Sequence, residues 1–382
     1  MNSSNAVLAD FIRETIQREG PVSFRWFMEQ ALYHPAHGFY SSGRCAIGRS
    51  GDYFTNVSVG SLFGHLLAAQ FAEMWELLGR PSNFTIAEQG AHNGDFARDM
   101  LQAAREQAPD FFRRLRYIII EPIPIWQDSQ AAALTSYREK IEWRKSLEEI
   151  DPFSGVHFSN ELLDAMPVHL IAANNSRWEE KYVMVGSEGF EFARGPISTE
   201  QLRDHLRKIS APPTANYETE VNLAALDWIE ILSRKLERGY ILTVDYGYPR
   251  EEYYSSERTS GTLRCYAQHR VAPSPFINLG QTDITAHLDW TSLVEQAEEC
   301  GLRLAGFTDQ HHFITALITT FMAEQFFDAV AQRRALQTLS HPGLLGRTFQ
   351  FLALAKGMAA KAQLSGFKFA RDARATLGMN SR

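Results

Sequence analysis

The first residues that could bind a ligand lie in a short turn between an apolar run and a helical pattern. Residues 84–87 form the apolar run, Gly90 and Gly94 bound the turn, and Asp95 begins the helical pattern. This order predicts a buried strand, a tight turn and a helix whose first N–H groups are free to donate to a ligand. Glycine lets the backbone approach such a ligand closely. The turn is typical of a nucleotide site and equally typical of an ordinary strand-to-helix connection.

The spacing of the glycines argues against one class of nucleotide site. Dinucleotide-binding proteins use the pattern G-x-G-x-x-G. Here the middle position between Gly90 and Gly94 is His92, and the third residue after Gly94 is Ala97. A nicotinamide-dependent oxidoreductase is therefore disfavoured.

Polar residues follow three later apolar runs. Glu121 ends the second run, roughly thirty residues after the glycine turn, where a carboxylate suits the ribose hydroxyls of a nucleotide, although an ordinary solvated acid is the alternative. Asn160 and Glu161 follow the fourth run, and Asp245 follows the fifth. Ligands bind at the carboxyl ends of the strands in open α/β sheets. We therefore expect these side chains to share one edge of a sheet.

Hydrophobic spacing predicts the elements that position these residues. The predicted helices span 6–18, 23–32, 60–78, 126–136, 199–208, 218–238 and 290–300, and the predicted strands span 84–87, 117–120, 141–143, 155–158, 240–244, 302–307 and 347–354. Gly239 is expected to end the sixth helix as its C′ residue. Strands and helices alternate from 84 to 247, which indicates a doubly wound, Rossmann-like α/β sheet.

The same pattern predicts four segments. Residues 1–80 form a helical N-terminal extension that ends in an irregular covering loop, and residues 81–167 with 218–357 form the α/β core. Residues 168–217 form an inserted α+β cap, and residues 358–382 form a flexible basic tail.

Composition excludes several function classes. The chain has 382 residues with 45% hydrophobic residues, which is enough for a large core, and its net charge of −7 provides no basic field for nucleic acid or an anionic membrane. Its three cysteines form no CxxC pair, so we expect neither a disulfide framework nor a structural zinc site. The acidic N-terminus resembles neither a secretory signal nor a mitochondrial presequence. A cytoplasmic protein without a membrane span is predicted.

Nine segments distributed along the chain resemble one protein family. They are LYHPAHGFY, GDYFTNVS, FGHLLAAQ, AEQGAHNGDFARDML, FSNELLDAMPVH, VDYGYP, EYY, GTLRCYAQHR and QTDITAHLDW. This ordered set is similar to the MidA family, class I S-adenosylmethionine-dependent methyltransferases whose mitochondrial members methylate arginine in a subunit of complex I. The resemblance spans about residues 15–357. It implies a seven-stranded sheet with an antiparallel last strand, and S-adenosylmethionine as the cofactor.

The resemblance also implies roles for individual residues. The implied cofactor-binding residues are Gly51, Asp52, Thr55, Glu88, Gly90, His92, Gly94, Glu121, Phe158, Ser159 and Asn160. Within this set, Glu121 is expected at the ribose hydroxyls, and Glu88, Gly90 and Gly94 around the methionine and ribose part of the cofactor. Asp245 and Asp283 match the acidic positions of two family motifs. His92 is a departure, because the family pattern is G-x-G-x-G, and its imidazole adds bulk beside the cofactor.

Transfer of a sulfonium methyl group requires an aligned acceptor and exclusion of water, with no metal and no covalent nucleophile. A guanidinium acceptor needs carboxylates in a fork geometry, and the candidate catalytic residues are Glu161, Asp164, Asp245 and Asp283. A hydroxyl acceptor needs a base instead, and three histidines, His34, His37 and His287, could serve.

Two functions from different classes follow. The first is a methyltransferase that acts on a nitrogen, either arginine of a protein or part of a small molecule. The second is a catalytically degenerate relative that only binds a partner, which the departure at His92 would favour. The expected partner is a methyl-acceptor protein or small molecule, without nucleic acid or membrane, and a homodimer is the assembly considered.

Overall fold

A computed structural model describes residues 5–43, 55–174, 177–209, 217–267, 270–322, 329–359 and 362–380. Its helices are α1 (Ala6–Glu19), α2 (Phe24–Tyr33), α3 (Leu62–Leu77), α4 (Asp95–Gln107), α5 (Pro109–Arg114), α6 (Pro124–Ala133), α7 (Glu200–Arg207), α8 (Leu223–Lys235), α9 (Arg250–Tyr253), α10 (Trp290–Glu299), α11 (Gln310–Phe321), α12 (Val330–Ser340) and α13 (Ala373–Thr376). Its strands are β1 (Val22–Ser23), β2 (Phe84–Gln89), β3 (Leu115–Ile120), β4 (Ile141–Arg144), β5 (Phe153–Asn160), β6 (His169–Asn174), β7 (Arg177–Gly186), β8 (Gly189–Gly195), β9 (Glu218–Val221), β10 (Leu236–Asp245), β11 (Gly247–Tyr248), β12 (Arg264–Ala267), β13 (Arg270–Val271), β14 (Asp283–Thr285), β15 (Leu288–Asp289), β16 (Arg303–Asp309) and β17 (Gln350–Lys356).

The chain divides into two compact units. The first comprises Met1–Tyr53, Leu163–Asp227 and Tyr248–Trp290, and the second comprises Phe54–Leu162, Trp228–Gly247 and Thr291–Arg382. The second unit therefore includes α3, which the sequence prediction grouped with the N-terminal extension. The segment 248–290, predicted as core, belongs to the first unit. Among the helices in the described ranges, none is long and apolar enough to span a bilayer.

The second unit contains a seven-stranded sheet in the order β16-β17-β10-β5-β2-β3-β4. The strands from β10 to β4 are parallel, whereas β17 is antiparallel to both of its neighbours. This arrangement confirms the predicted seven-stranded α/β sheet with an antiparallel last strand. The central strands are largely buried because both faces of a parallel sheet are covered. Phe63 of α3, Phe96 of α4 and Phe158 of β5 join its hydrophobic core.

The first unit contains mainly antiparallel sheets. One sheet has the order β1-β7-β6-β9 with β8 paired to β7, and another has the order β13-β12-β14. The segment predicted as an α+β cap supplies β6, β7, β8 and α7 to this unit. Helix α7 buries Leu202 and Leu206 against Ile171 and Val221 of the first sheet.

One predicted helix is wrong in part. The pattern over 218–238 indicated a helix throughout, but residues Glu218–Val221 form β9 and pair antiparallel with β6, and the helix is α8. Val221, the one apolar residue of β9, fits the helical spacing of the residues that follow it, so the pairing with a distant strand decides the conformation.

The prediction that Gly239 is the C′ residue of a helix is wrong. It lies inside β10, directly opposite Gly155 of β5, with φ +138°. A Cβ on Gly239 would lie 1.9 Å from the carbonyl oxygen of Gly155. Glycine is therefore needed here for the close approach of two strands rather than for the end of a helix.

The C-terminal residues 362–380, predicted as a flexible tail, pack on the second unit. Leu364, Phe367 and Leu377 are buried. The backbone N–H of Gly366 donates to Gln70 Oε1 on α3 at 2.9 Å. The buried side chains are apolar residues spaced among basic ones, so the overall composition of this segment did not predict its packing.

Candidate functional site

The carboxyl edge of the parallel strands gathers most of the predicted site residues. Strands β3, β2, β5 and β10 are adjacent and parallel, so the segments that follow them leave the sheet at the same edge. This common direction brings the turn after β2, Glu121, Glu161 and Asp245 to one side of the second unit.

The turn after β2 uses a left-handed backbone at alternate residues. The φ angles are +82° at Gly90, +45° at His92 and +85° at Gly94. A non-glycine residue in this region costs roughly 1–2 kcal/mol, which explains why glycine suits all three positions. The His92 ring lies against Trp126, with 4.4 Å between ring centroids. His92 therefore takes the backbone conformation of a glycine while its imidazole packs on an indole.

Glu121 lies directly after β3 and is buried. Its Oε1 accepts a hydrogen bond from the Ile123 N–H at 2.9 Å, and its Oε2 accepts one from Gln130 Nε2 at 3.1 Å. Burial raises the pKa of Glu121 to about 7, against the opposing effect of these two bonds. The carboxyl group is thus held in one orientation beside the glycine turn.

Glu88 lies in β2, two residues before Gly90, and is also buried. Its Oε2 accepts a hydrogen bond from the Tyr117 hydroxyl at 2.8 Å. Burial raises the pKa of Glu88 to about 7, and the bond from Tyr117 opposes this rise.

Two predicted cofactor residues at the end of β5 have side chains committed to the protein interior. Phe158 stacks on Phe96 with 4.5 Å between ring centroids. Ser159 Oγ forms a hydrogen bond with Thr243 Oγ1 at 2.8 Å, and both residues are buried. Both side chains contact neighbouring elements of the interior and thereby hold the end of β5 in place.

Glu161 follows β5 with φ +54°, a left-handed backbone in a non-glycine residue. Its N–H donates to the Val244 carbonyl at 2.9 Å. Its Oε1 accepts from Asn160 Nδ2 at 2.8 Å, and its Oε2 accepts from the Tyr246 hydroxyl at 3.3 Å. Strained backbone of this kind costs on the order of 1–3 kcal/mol and concentrates at functional sites.

The pKa of Glu161 is raised to about 8, first by burial and then by the negative charge of Asp245. Asp245 ends β10, is fully buried, and its Oδ1 accepts a hydrogen bond from the Tyr246 N–H at 2.8 Å. The negative charge of Asp245 thus disfavours the ionisation of Glu161, and this acidic pair is suited to a cation.

Asn56 is connected to Glu161 by two successive hydrogen bonds that pass through the Asn160 amide. Asn56 Nδ2 donates to Asn160 Oδ1 at 3.1 Å, and Asn160 Nδ2 in turn donates to Glu161. The partners fix the orientation of both amides, which leaves Asn56 Oδ1 buried and without a hydrogen-bond partner among the described residues. The neighbouring Thr55 forms a turn with Ser58, whose hydroxyl accepts from the Thr55 N–H at 2.9 Å.

Two of the predicted catalytic residues belong to the first unit. Asp164 and Asp283 are buried residues of the first unit, where the Tyr40 hydroxyl donates to Asp283 Oδ1 at 2.7 Å. The N–H of Ala286 donates to the Asp164 carbonyl at 2.9 Å, so this unit brings the two motif segments together. Gly51 and Asp52 lie outside the described residues.

Sequence reasoning missed three residues of this site: Asn56, Gln130 and Tyr246. Asn56 and Tyr246 belong to family-like motifs, so their neighbours Thr55 and Asp245 could have drawn attention to them. Gln130 belongs to no such motif, and nothing in its local pattern separates it from a surface glutamine.

The sheet order and the acidic carboxyl edge define a class I methyltransferase-like α/β protein. Residues 66–308 match a family described as S-adenosyl-L-methionine-dependent methyltransferases. The chain belongs to this family and is an S-adenosylmethionine-dependent methyltransferase.

Three similar proteins support this assignment. The "Protein arginine methyltransferase NDUFAF7 homolog, mitochondrial" of Drosophila melanogaster is 26% identical, over 94% of this chain and 87% of the fly protein. The human NDUFAF7 protein is 24% identical, over 94% of this chain and 85% of its own length. A Burkholderia thailandensis protein with bound S-adenosyl-homocysteine is 30% identical, covers 95% of both chains and has a TM-score of 0.85. The resemblance to the MidA family is thereby confirmed.

Proposed function

We propose that this enzyme transfers the methyl group of S-adenosylmethionine to a guanidinium nitrogen, of the kind that an arginine side chain presents. The observation that carries the proposal is the group of hydrogen-bond acceptors around Glu161, which contains Glu161, Asp245 and Asn56 Oδ1. The names of the fly and human relatives, which are arginine methyltransferases, also support this acceptor.

A guanidinium group presents five N–H donors and no acceptor. It pairs well with carboxylates in a fork geometry, and it would also offer a donor to the buried oxygen of Asn56. A neutral hydroxyl acceptor offers one donor and no positive charge, so it would not balance the carboxyl groups. The guanidinium is favoured because it brings several donors together with the opposite charge.

The raised pKa of Glu161 couples acceptor binding to a proton. Without a cation, Glu161 is largely protonated at neutral pH because its pKa is about 8. A bound guanidinium would lower this pKa, since an opposite charge favours the ionised carboxyl. Acceptor binding at neutral pH should therefore release a proton. The ionised Glu161 would then accept the proton that the nitrogen loses when its new N–C bond forms.

The residues around the turn after β2, at the same edge of the sheet, fit the cofactor. When bound, S-adenosylmethionine supplies an electrophilic methyl group on a positively charged sulfur. Glu121, buried and oriented beside the turn, would accept from the ribose hydroxyls. The left-handed backbone from Gly90 to Gly94 would let the chain approach the cofactor closely. Roles for Glu88 near the methionine part and for Thr55 stay predictions.

The test is methyl transfer from labelled S-adenosylmethionine to a lysate of the source organism, separated into proteins and small molecules. We expect label in the protein fraction, recovered as methylarginine after hydrolysis. The Glu161→Gln enzyme should lose this signal, whereas Glu106→Gln, an exposed change on α4, should retain it. Label confined to small molecules would overturn the protein acceptor, and label in neither would favour a binding protein.

Compartment and assembly are further proposals. The free thiols of Cys265 and Cys300 support a reducing compartment, and we propose that this compartment is the cytoplasm. The relatives named above are mitochondrial proteins, so fractionation of cells with an antibody to this chain is the direct measurement. Light scattering in solution would show whether the protein forms a homodimer.

A further inference from the structure

Gln130 is a buried polar residue on a helix that is otherwise at least partly exposed. It lies on α6 with no solvent exposure. Its backbone also packs closely on the glycine turn, because a Cβ built on Gly94 would lie 3.4 Å from the Cα of Gln130. A buried amide must satisfy two donors and one acceptor, so each of its contacts is informative.

The amide of Gln130 joins three separate segments of the second unit. Its Nε2 donates to the His92 carbonyl at 2.8 Å and to Glu121 Oε2 at 3.1 Å. Its Oε1 accepts from Trp143 Nε1 on β4 at 2.9 Å. These partners allow one orientation of the amide, since a flipped amide would set its oxygen against two acceptors and its nitrogen against a donor.

We propose that Gln130 is a positioning residue for cofactor binding, which holds the glycine turn and Glu121 in the arrangement that receives the ribose. The inference rests on the proposed role of this edge in binding S-adenosylmethionine. A single amide would thus align two segments that are separate in the sequence, the turn at His92 and the carboxyl group of Glu121.

The same contact has a chemical consequence for Glu121. The N–H of Gln130 stabilises the ionised carboxyl and lowers a pKa that burial raises. The titratable groups on the surrounding elements include His92 on the turn, Asp128 on α6, and Glu142 with Arg144 on β4, which form an ion pair at 2.8 Å. Loss of the donor from residue 130 should therefore move the titration of Glu121 to higher pH.

The main variant is Gln130→Met, which keeps the length of the side chain and removes its polar atoms. Gln310→Met is the matched control, because Gln310 is equally buried in the same unit and donates to the Leu339 carbonyl at 3.0 Å. Both variants lose a fully buried amide, and the thermal unfolding curve of each variant measures its cost in stability. Of the two glutamines, Gln130 is the one that contacts Glu121 and the turn.

Two measurements separate positioning from stability. Calorimetry with S-adenosyl-homocysteine should show an affinity loss on the order of tenfold for Gln130→Met and little change for Gln310→Met. Carbon NMR of the Glu121 carboxyl in the cofactor-free protein, assigned by its absence in Glu121→Gln, should show titration at higher pH in Gln130→Met only. Wild-type affinity together with an unchanged titration would overturn the proposal.

The two measurements also distinguish this inference from the proposed function. If the wild-type enzyme binds no S-adenosyl-homocysteine, the proposed cofactor site fails, while the Glu121 titration still decides the role of Gln130. If Gln130→Met does not fold, the isosteric Gln130→Glu replaces it. That variant should bind weakly at alkaline pH and recover at lower pH, where a protonated carboxyl at position 130 can donate again; a pH-independent loss would contradict the proposal.

Discussion

The turn after β2 and the end of β5 each hold a non-glycine residue in a left-handed conformation, but different contacts support it. At the turn, the His92 carbonyl accepts from Gln130 and the ring packs on Trp126. At the end of β5, the Glu161 carboxyl receives donors from Asn160 and Tyr246. The first support is made mainly by neutral groups around the backbone, whereas the second acts on a titratable group.

This difference separates two tasks within one sheet edge. The amide of Gln130 and the indole of Trp126 are neutral groups that shape the backbone of the turn, which suits the binding of an invariant cofactor. A carboxyl with a pKa of about 8 beside Asp245 responds to the arrival of a cation, which suits an acceptor. Changes at the end of β5 should therefore affect catalysis, and changes at the turn should affect cofactor binding or stability.

The largest expected effect is that of Glu161→Gln. The amide cannot accept a proton or balance a cationic acceptor, so kcat should fall by roughly 10²–10³-fold while S-adenosyl-homocysteine affinity stays within about threefold. Steady-state kinetics and calorimetry on the same preparation provide the measurement. A loss of cofactor affinity would instead make Glu161 a cofactor ligand, and the two regions would no longer differ as described.

Glu88→Gln tests the buried acid that precedes the turn. The folded-state pKa of Glu88 is raised from 4.5 to about 7, so its stabilising contribution is complete below 4.5 and is lost as the pH rises through 7. Glutamine removes this dependence and still accepts from Tyr117. Relative to wild type, the variant should gain roughly 3 kcal/mol of unfolding free energy between pH 5 and pH 8. Denaturant titrations at both pH values measure this gain, and parallel pH curves for the two proteins would refute it.

Glu121→Ala should weaken S-adenosyl-homocysteine binding by about 1–3 kcal/mol, because the ribose hydroxyls would lose an oriented acceptor. Calorimetry gives the value directly, and the thermal unfolding curve of the same variant reports any general loss of folding. Unchanged affinity would remove Glu121 from the ribose role and leave the turn without its acidic partner.

The smallest effect is expected for His92→Gly. Glycine relieves a left-handed backbone cost of roughly 1–2 kcal/mol but loses the packing on Trp126 and gains freedom in the unfolded chain. The net change in unfolding free energy should be within about 1 kcal/mol, with cofactor affinity within a few-fold. An affinity increase beyond about tenfold would show that the imidazole obstructs the cofactor, and would revive the binding-protein alternative.

Much of the second unit could be predicted because its strands carry their own signal. Strands Phe84–Gln89 and Leu115–Ile120 are each buried at five of six positions, and a buried parallel strand favours the short apolar runs that they contain. The prediction failed where a segment's conformation depends on a distant partner. Residues Glu218–Val221 become a strand through pairing with β6, and Gly239 is required by the approach of Gly155.

The sequence by itself determined the α/β class, the strands of the central sheet, the family through its motifs, and the acids that end the strands. The tertiary structure decided which amides support those acids at the edge that they share. Gln130 contacts a carbonyl 38 residues away, and Asn56 contacts an amide 104 residues away. Local periodicity reports only whether a segment buries one of its faces. The partner of a buried polar atom is set by which elements become neighbours when the sheet forms.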